Sequence, residues 1–476
     1  MTYCCKLKTL TLHFPKRHFS KVSVHLNFKP ACQDKAALYE KHLAKIKMSV
    51  PKSRENPVIM KLETPEFRSL FTDELKSLAT LFAKYNYEIR IAGGAVRDLL
   101  MGIKPTDLDF ATTAAPTEMK KIFESENIRI INENGEKHGT ITPRINNKEN
   151  FEITTLRVDV VTDGRHAEVI FTTDWLLDSL RRDLTINSMF LGLDGSLYDY
   201  FFGYDDLQKR RVTFVGNAET RIQEDYLRIL RYFRFYGRIS DKCNNHDKDT
   251  LQAIKRNAAG LDKISGERIW TELKKMLEGN FAGDLLVVII DCGLSQYIGL
   301  PTKPNIEELK KVWTRSGHLN LNAITLLSSL LNNVEDAIAL NRRLKLSAFD
   351  RDLATFIVEH REPKLHPNYL LPYQQLIIKA KSKPLVIKQY ALEVLKYNNS
   401  EYLEELETWQ IPHFPINGAM LKERGVESGR FMGVVMQELK DIWADNQFKS
   451  SVEELLDCIP EVLEKLLQKK KKKNAK

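Results

Sequence analysis

Little in this chain would staple or anchor it from outside. Its 476 residues include only 6 cysteines, Cys4, Cys5, Cys32, Cys243, Cys292 and Cys458. None falls into a CxxC or Cys/His ligand spacing, so a zinc site is not expected and a reducing compartment is. The longest apolar run, Leu285 to Ile290, is far short of the ~20 residues that span a bilayer, and no membrane partner is expected. With Gly at 22 and Pro at 17, a collagen-like or low-complexity chain is excluded. No GxxxxGK[ST] segment occurs, so any nucleotide site is not a P-loop. What remains is ordinary globular composition, 43% hydrophobic and 28% charged, with length for about three folded units.

The net charge of +9 suggests nucleic acid until it is placed along the chain. Residues 1–33 carry six Lys or Arg and no acid, and residues 469–476 carry six Lys. These two ends exceed the whole surplus, so the body between them is slightly acidic and a nucleic-acid reading must rest on a local patch. The leader, residues 1–47, has spaced basic and hydroxyl residues and no acid before Asp34. That composition predicts a mitochondrial transit peptide, and Met48 offers a second start that would leave a cytosolic or nuclear form. The run Lys469 to Lys473 reads as a nuclear address, an RNA tether or a solvated helix end.

From Thr64 to Tyr85, apolar residues Phe67, Leu70, Phe71, Leu75, Leu78 and Phe82 recur with helical period behind a Thr cap and a first-turn Pro, predicting one helix. The runs YEIRIA, KPTDLDFAT, GTITPRI, FEITTLRV, AEVIFTT, SMFLGL and SLYDYF predict strands, with turns at Asn134-Gly135, Asp163-Gly164 and Asp194-Gly195. Residues 60–202 therefore read as one unit on a mostly antiparallel sheet. After residue 203 the strands stop, and amphipathic helices take over, as at Ile269, Trp270, Leu273, Met276 and Leu277. Breaks near Pro301–Pro304, Pro363–Pro372 and Pro412–Pro415 divide this half into 203–300, 301–400 and 401–468. The expected fold class is α+β.

Asp107-Leu108-Asp109 lies in a strand-like run, where alternation puts both carboxylates on one face. Two hard oxygen ligands so placed suit Mg²⁺, which fills its remaining positions with water and substrate phosphate. Shortly before them stands Gly93-Gly94-Ala95-Val96-Arg97-Asp98, a Gly pair at a strand-to-helix turn. Such glycines admit a phosphate close to backbone N–H groups, and Arg97 can clamp it bidentately. The two segments together predict two-metal phosphoryl transfer: one metal activates a hydroxyl and the other neutralises a leaving pyrophosphate.

GGAVRD with its following DLD, then RRDLTIN at 181–187, EDYLR at 224–228 and ISGERIWTELKKML at 264–277 resemble, in order and spacing, the motif series of the class II tRNA nucleotidyltransferases, the CCA-adding enzymes. The resemblance covers roughly residues 60–300. It implies a polymerase-β-like head followed by an all-α neck, body and tail. It implies an enzyme that extends the 3′ end of tRNA by C, C and A from CTP and ATP, without a nucleic-acid template, releasing pyrophosphate. Asp107 and Asp109 would be its catalytic and metal-binding residues, Gly93, Gly94 and Arg97 its phosphate site, and Arg182 and Asp183 part of a nucleotide-binding segment associated with the sugar.

Residues 209–238 carry eight Lys or Arg against three acids, the local patch that the whole-chain charge conceals. Within it Asp225, Arg228, Arg231 and Arg234 step by three along a predicted helix, drifting about 60° per step, so the four cannot all touch one base. The nearest pair, Asp225 and Arg228, can: a carboxylate accepts from an exocyclic amine while a guanidinium donates to ring nitrogen and carbonyl. Cytosine and adenine both offer an amine beside a ring-nitrogen acceptor, whereas uracil and guanine reverse that pattern. The resemblance assigns the same template role to this pair and counts Arg231 and Arg234 among the nucleotide ligands.

Other residues take blander readings: Glu152 is a third acid, metal-associated or structural, with the structural reading favoured; His138 touches substrate or packs, with packing favoured; and Gly429 and Gly433 permit close helix packing in preference to binding phosphate. The segment Asp163–Glu168 resembles the family's flexible loop, which favours full CCA addition. Rival readings are a poly(A) polymerase of the same superfamily and a noncatalytic RNA-binding protein on this scaffold; intact Asp107, Asp109, Arg97, Asp225 and Arg228 argue against the second. Monomer and homodimer both remain open.

Overall fold

The structure is a computed structural model that describes residues 50–132, 135–162, 167–362, 366–381 and 383–474. The leader 1–47 and the turn at Asp163–His166 lie outside the described residues. The chain divides into two compact units, Met1–Tyr297 and Ile298–Lys476.

The first unit holds the strands β1 (Val58–Lys61), β2 (Ile89–Ala92), β3 (Asp109–Thr112), β4 (Arg129–Asn132), β5 (Thr140–Ile145), β6 (Glu149–Asn150), β7 (Glu152–Thr155), β8 (Arg157–Thr162), β9 (Ala167–Phe171), β10 (Phe190–Gly192) and β11 (Ser196–Tyr198). Nine of them form one sheet in the order β1-β11-β10-β2-β3-β7-β5-β4, with β6 beside β5, while β8 and β9 form a separate hairpin. Only β3 and β7 run parallel among the pairs of this sheet. The mostly antiparallel mixed sheet and the helical remainder match the α+β expectation.

Alternation sorts the side chains. Ile91, Phe110 and Ile153 are at most 1% exposed and share one face, where Phe110 meets Phe151 edge-on at 5.6 Å. Helices Asp73–Lys84 and Pro116–Ser125 join across Phe82 and Phe123 at 6.3 Å. Burying each such aromatic ring contributes on the order of 2 kcal/mol. On the opposite face Ala92, Ala111 and Phe190 form a small cluster with Leu156 and Trp175. That face is left thin, and the polar residues described below collect over it.

Several elements depart from the sequence expectations for local reasons. The single helix expected over Thr64–Tyr85 is two, Pro65–Arg68 and Asp73–Lys84, because a second Thr, Thr72, caps a new start by accepting the N–H of Leu75. FEITTLRV is split at Leu156, which is fully buried and donates its N–H to Thr112; the residues before it pair with β3 and those after it with β9. Arg129–Asn132 adds an edge strand that the pattern did not mark.

Beyond the sheet the first unit is helical, including Ala218–Glu224, Arg228–Ile239 and Gly266–Leu277. In the last of these Ile269, Trp270, Leu273, Met276 and Leu277 are buried, as their spacing predicts. The second unit is all helical among its described residues. One of its cores gathers Val435, Leu439 and Trp443, one face of helix Arg430–Asp445, with Leu421, Leu455, Ile459 and Val462. Gly429 and Gly433 do not serve close packing there: a Cβ on either would meet no heavy atom within 4 Å. No described helix is long and apolar enough to cross a membrane.

Candidate active site

The open face of the sheet and the helices after Gly203 enclose a polar cleft of about 1120 Å³ within the first unit. Nine Arg or Lys and six Asp or Glu line it, a local cationic excess inside a body that is slightly acidic overall. Every residue proposed from the sequence as a site residue, Gly93, Gly94, Arg97, Asp107, Asp109, Arg182, Asp183, Asp225, Arg228, Arg231 and Arg234, lines this one cleft.

β2 ends at Ala92, Gly93 follows with a φ of +68° that glycine adopts at little cost, and the helix Gly94–Leu100 starts after it. A Cβ on Gly93 would come 3.5 Å from Arg182 Nη1, and one on Gly94 would come 3.5 Å from Arg97 Nη2. The two glycines thus bring bare backbone against two guanidinium groups. Arg97 is 3% exposed; it donates to Asn187 Oδ1 at 2.7 Å and, through Nε and Nη2, to Asp98 Oδ1. Burial draws its proton affinity down, with the Asp98 carboxylate opposing that effect.

Asp109 opens β3, but Asp107 does not share the strand; it sits in the bend before it. The expected alternation of Asp107 and Asp109 along one strand is therefore incorrect, and the bend is what carries Asp107 to the cleft. Burial pushes the Asp109 carboxyl up, and the neighbouring Asp107 adds to this while Arg182 opposes it. Two crowded acids of which one resists ionisation form a donor set that a divalent cation would relieve. Glu152 lies opposite Asp109 in the parallel register of β3 and β7, and its carboxyl is also raised, by burial and then by Asp109. Among the described residues no group of three or more His, Cys, Asp or Glu is arranged to hold a metal ion; Asp107 and Asp109 offer two carboxylates in the cleft lining. His138 is absent from the cleft lining; its carbonyl accepts from Arg157.

Helix Trp175–Arg181 delivers Arg181, Arg182 and Asp183 from its C-terminal end. Asp183 Oδ1 accepts the N–H of Leu184 at 2.8 Å and Oδ2 accepts from Arg231 Nε at 2.6 Å. Arg234 pairs with the buried Glu272 at 3.2 Å, and Arg231 lies 3.8 Å from the same carboxylate. Arg97, Arg231 and Arg234 also surround the ring of Phe235, at 5.0, 5.5 and 4.4 Å from its centre.

The base-reading candidates are not on one helix. Asp225 follows helix Ala218–Glu224 in extended backbone, φ −150° and ψ 107°, and Arg228 is the first residue of the next helix. The stepwise drift expected of four helical positions therefore holds only for Arg228, Arg231 and Arg234. Asp225 Oδ1 accepts the N–H of Leu227 at 3.1 Å, and Oδ2 pairs with Arg268 at 3.3 Å. Arg228 donates to Glu224 at 2.6 Å and to the carbonyls of Arg221 and Arg181 at 2.9 and 3.1 Å. Sequence reasoning missed Asn187, Asp178, Glu272 and Arg268, the partners that hold these arginines and Asp225; all four lie within or beside the motifs, and only an acid-to-Arg spacing of three or four residues marks Asp178 in advance.

Residues 89–213 match the family described as the Poly A polymerase head domain, and residues 246–303 match the one described as a probable RNA and SrmB-binding site of polymerase A. The chain is 53% identical over 405 residues to the mitochondrial CCA tRNA nucleotidyltransferase 1 of Danio rerio, covering 84% of this chain and 93% of that one. To its counterpart in Homo sapiens it is 52% identical over the same coverage. In fold it is similar to the crystal structure of the Bacillus stearothermophilus CCA-adding enzyme in complex with CTP, with a TM-score of 0.64 at 24% identity, covering 87% of this chain and 100% of that one.

Proposed function

The chain belongs to the CCA tRNA nucleotidyltransferase family, and from that membership we propose that its polar cleft adds C, C and A to the 3′ end of tRNA from CTP and ATP, without a nucleic-acid template, releasing pyrophosphate. The observation that carries the reading is the single concavity that gathers the acidic pair, the glycine turn with its guanidiniums, and the Asp225 to Arg234 segment. A phosphate-binding end, an acidic centre and a base-reading end are what nucleotidyl transfer requires in one place.

Asp107 and Asp109 would hold a divalent metal, Mg²⁺ by their hard oxygen donors. When bound it lowers the pKa of the attacking hydroxyl and offsets charge on the leaving pyrophosphate. The chain's own residues do the rest. Gly93 and Gly94 leave backbone open to the triphosphate, while Arg97 and Arg182, fixed by Asn187 and Asp178, supply preorganised cationic donors. Arg97 and Arg182 are held before substrate arrives, so binding the triphosphate does not have to order them. Asp225 and Arg228 read the base edge: the carboxylate accepts from the exocyclic amine of C or A, and the guanidinium donates to the adjoining acceptors. Arg268 and Glu224 hold that pair in the absence of a base.

The test is direct. Incubate the protein with a tRNA lacking its 3′ end and each labelled nucleotide singly and in combination, then sequence the product. Ordered addition of C, C and A supports the reading; an untemplated run of A makes the protein a poly(A) polymerase.

The relatives carry mitochondrial names, and residues 1–47 are read here as a targeting leader, with a cytosolic or nuclear product starting at Met48. Reporter fusions beginning at Met1 and at Met48 should partition differently; identical distributions would sink that reading.

A further inference from the structure

Asp178 lies within helix Trp175–Arg181 and is 1% exposed. Its Oδ1 accepts from Arg181 Nε at 2.8 Å and from the backbone N–H of Arg157 at 3.0 Å. Its Oδ2 accepts from Arg182 Nε at 3.2 Å and Nη2 at 3.1 Å. One buried carboxylate therefore takes four hydrogen bonds from three arginines. Burial alone would raise its pKa, but Arg181 and Arg182 outweigh that and hold it ionised.

Asp178 is absent from the cleft lining, while Arg157, Arg181 and Arg182 are part of it. The two bonds to Asp178 fix one edge of the Arg182 guanidinium. Nη1 reaches the Asn187 carbonyl at 3.4 Å, and the group lies 4.7 Å from the centre of the Phe190 ring. The same Nη1 stands 3.5 Å from where a Cβ on Gly93 would be, so the guanidinium faces the glycine turn. The same carboxylate ties the first residue of β8, the hairpin strand, to this point.

We propose, on the nucleotide-site reading above, that Asp178 is a positioning residue: it orients Arg182 toward the phosphate of the incoming nucleotide and balances the charge that Arg157, Arg181 and Arg182 bring to one wall. An arginine left without this anchor would have to be ordered by the nucleotide itself, and the affinity lost is the cost of that ordering. Asp178 does not touch substrate, so its effect must run through Arg182.

The experiment compares Asp178→Asn, Arg182→Lys and the double variant in steady-state addition to tRNA, with thermal unfolding of each. The amide turns one acceptor into a donor facing a guanidinium, and the expected result is a KM raised about tenfold for CTP and ATP alike with kcat within about threefold. In the Arg182→Lys background the same substitution should add little, since the group it positions is already gone. A folded Asp178→Asn protein with wild-type KM, or one whose effect persists undiminished in the Arg182→Lys background, overturns the proposal. Wild-type KM in Arg182→Lys itself would instead overturn the nucleotide-site reading. If Asp178→Asn does not fold, Asp178→Glu keeps the charge and displaces the carboxylate by one methylene; raised KM is expected there, and wild-type KM overturns the proposal equally.

Discussion

Arg231 and Asp183 are 48 residues apart in the chain, yet Arg231 Nε donates to Asp183 Oδ2 at 2.6 Å. The contact joins the RRD segment beside the sheet to the basic helix Arg228–Ile239. Burial pushes the Asp183 carboxyl up, but the charge and hydrogen bond of Arg231 pull it below the usual carboxylate range. The pair thus sets how the two halves of the cleft wall meet.

Removing Asp183 leaves the partly buried Arg231 with only its longer contact to Glu272, at 3.8 Å. Asp183→Asn should destabilise the first unit by about 3 kcal/mol in urea denaturation near neutral pH. Because the folded pKa of Asp183 is depressed, its stabilisation is present above the unfolded value of about 4 and is lost as pH falls through the folded one. The gap between wild type and variant should therefore close below about pH 4. A gap that is constant from pH 7 to pH 3 would show that the ionised pair contributes nothing.

Asp107→Asn or Asp109→Asn should lower nucleotide addition by about a thousandfold or more, because each removes an anionic oxygen from the acidic centre. tRNA binding, followed by filter retention, should stay near wild type. Near-normal addition by either variant would place the chemistry elsewhere in the cleft.

Asp225→Ala removes the acceptor for an exocyclic amine and leaves Arg228 as a donor that uracil carbonyls can satisfy. Discrimination between CTP and UTP should fall by roughly ten- to a hundredfold, the worth of one good bidentate base contact. The rival role is visible in the structure, since Asp225 pairs with Arg268. If that ion pair is all Asp225 does, both nucleotides lose rate in proportion and the ratio of rates holds.

His246 should give the fold an acid sensitivity apart from the candidate active site. Its Nδ1 lies 2.9 Å from the hydroxyl of the fully buried Tyr232, its ring stacks on Tyr236 at 3.7 Å, and burial draws its pKa down to about 4. The unfolded chain takes up a proton near pH 6.5 that the folded one refuses until about pH 4. Stability should therefore fall on acidification across that window, by up to about 1.4 kcal/mol per pH unit. His246→Phe should flatten this slope in denaturant titrations; an unchanged slope would assign it to other groups.

The fold class was legible because its signals are local. Period-two runs with Asn-Gly or Asp-Gly turns announce an antiparallel sheet, and the loss of that pattern after residue 203 announces helices. Interruptions were harder to see. Thr72 restarts a helix that apolar spacing alone would continue, and Leu156 hands a strand from one partner to another only because Thr112 and β9 are there to receive it. Gly429 and Gly433 look like packing glycines on any helix, and only the empty space above them says otherwise.

The sequence by itself marked out the residues that line the cleft, two acids, a glycine turn with an arginine, and a short basic segment containing one aspartate, because each group is a short local pattern. Tertiary structure alone decided how they are held. The backbone leaves the helix at Asp225, Asp107 stands in a bend instead of a strand, and Arg97, Arg182, Arg231 and Arg234 are anchored by Asn187, Asp178, Asp183 and Glu272. The physical reason is that a buried charge must find its counter-charge wherever the chain passes closest, and for Arg231 that place lies 48 residues away, beyond the reach of any local pattern.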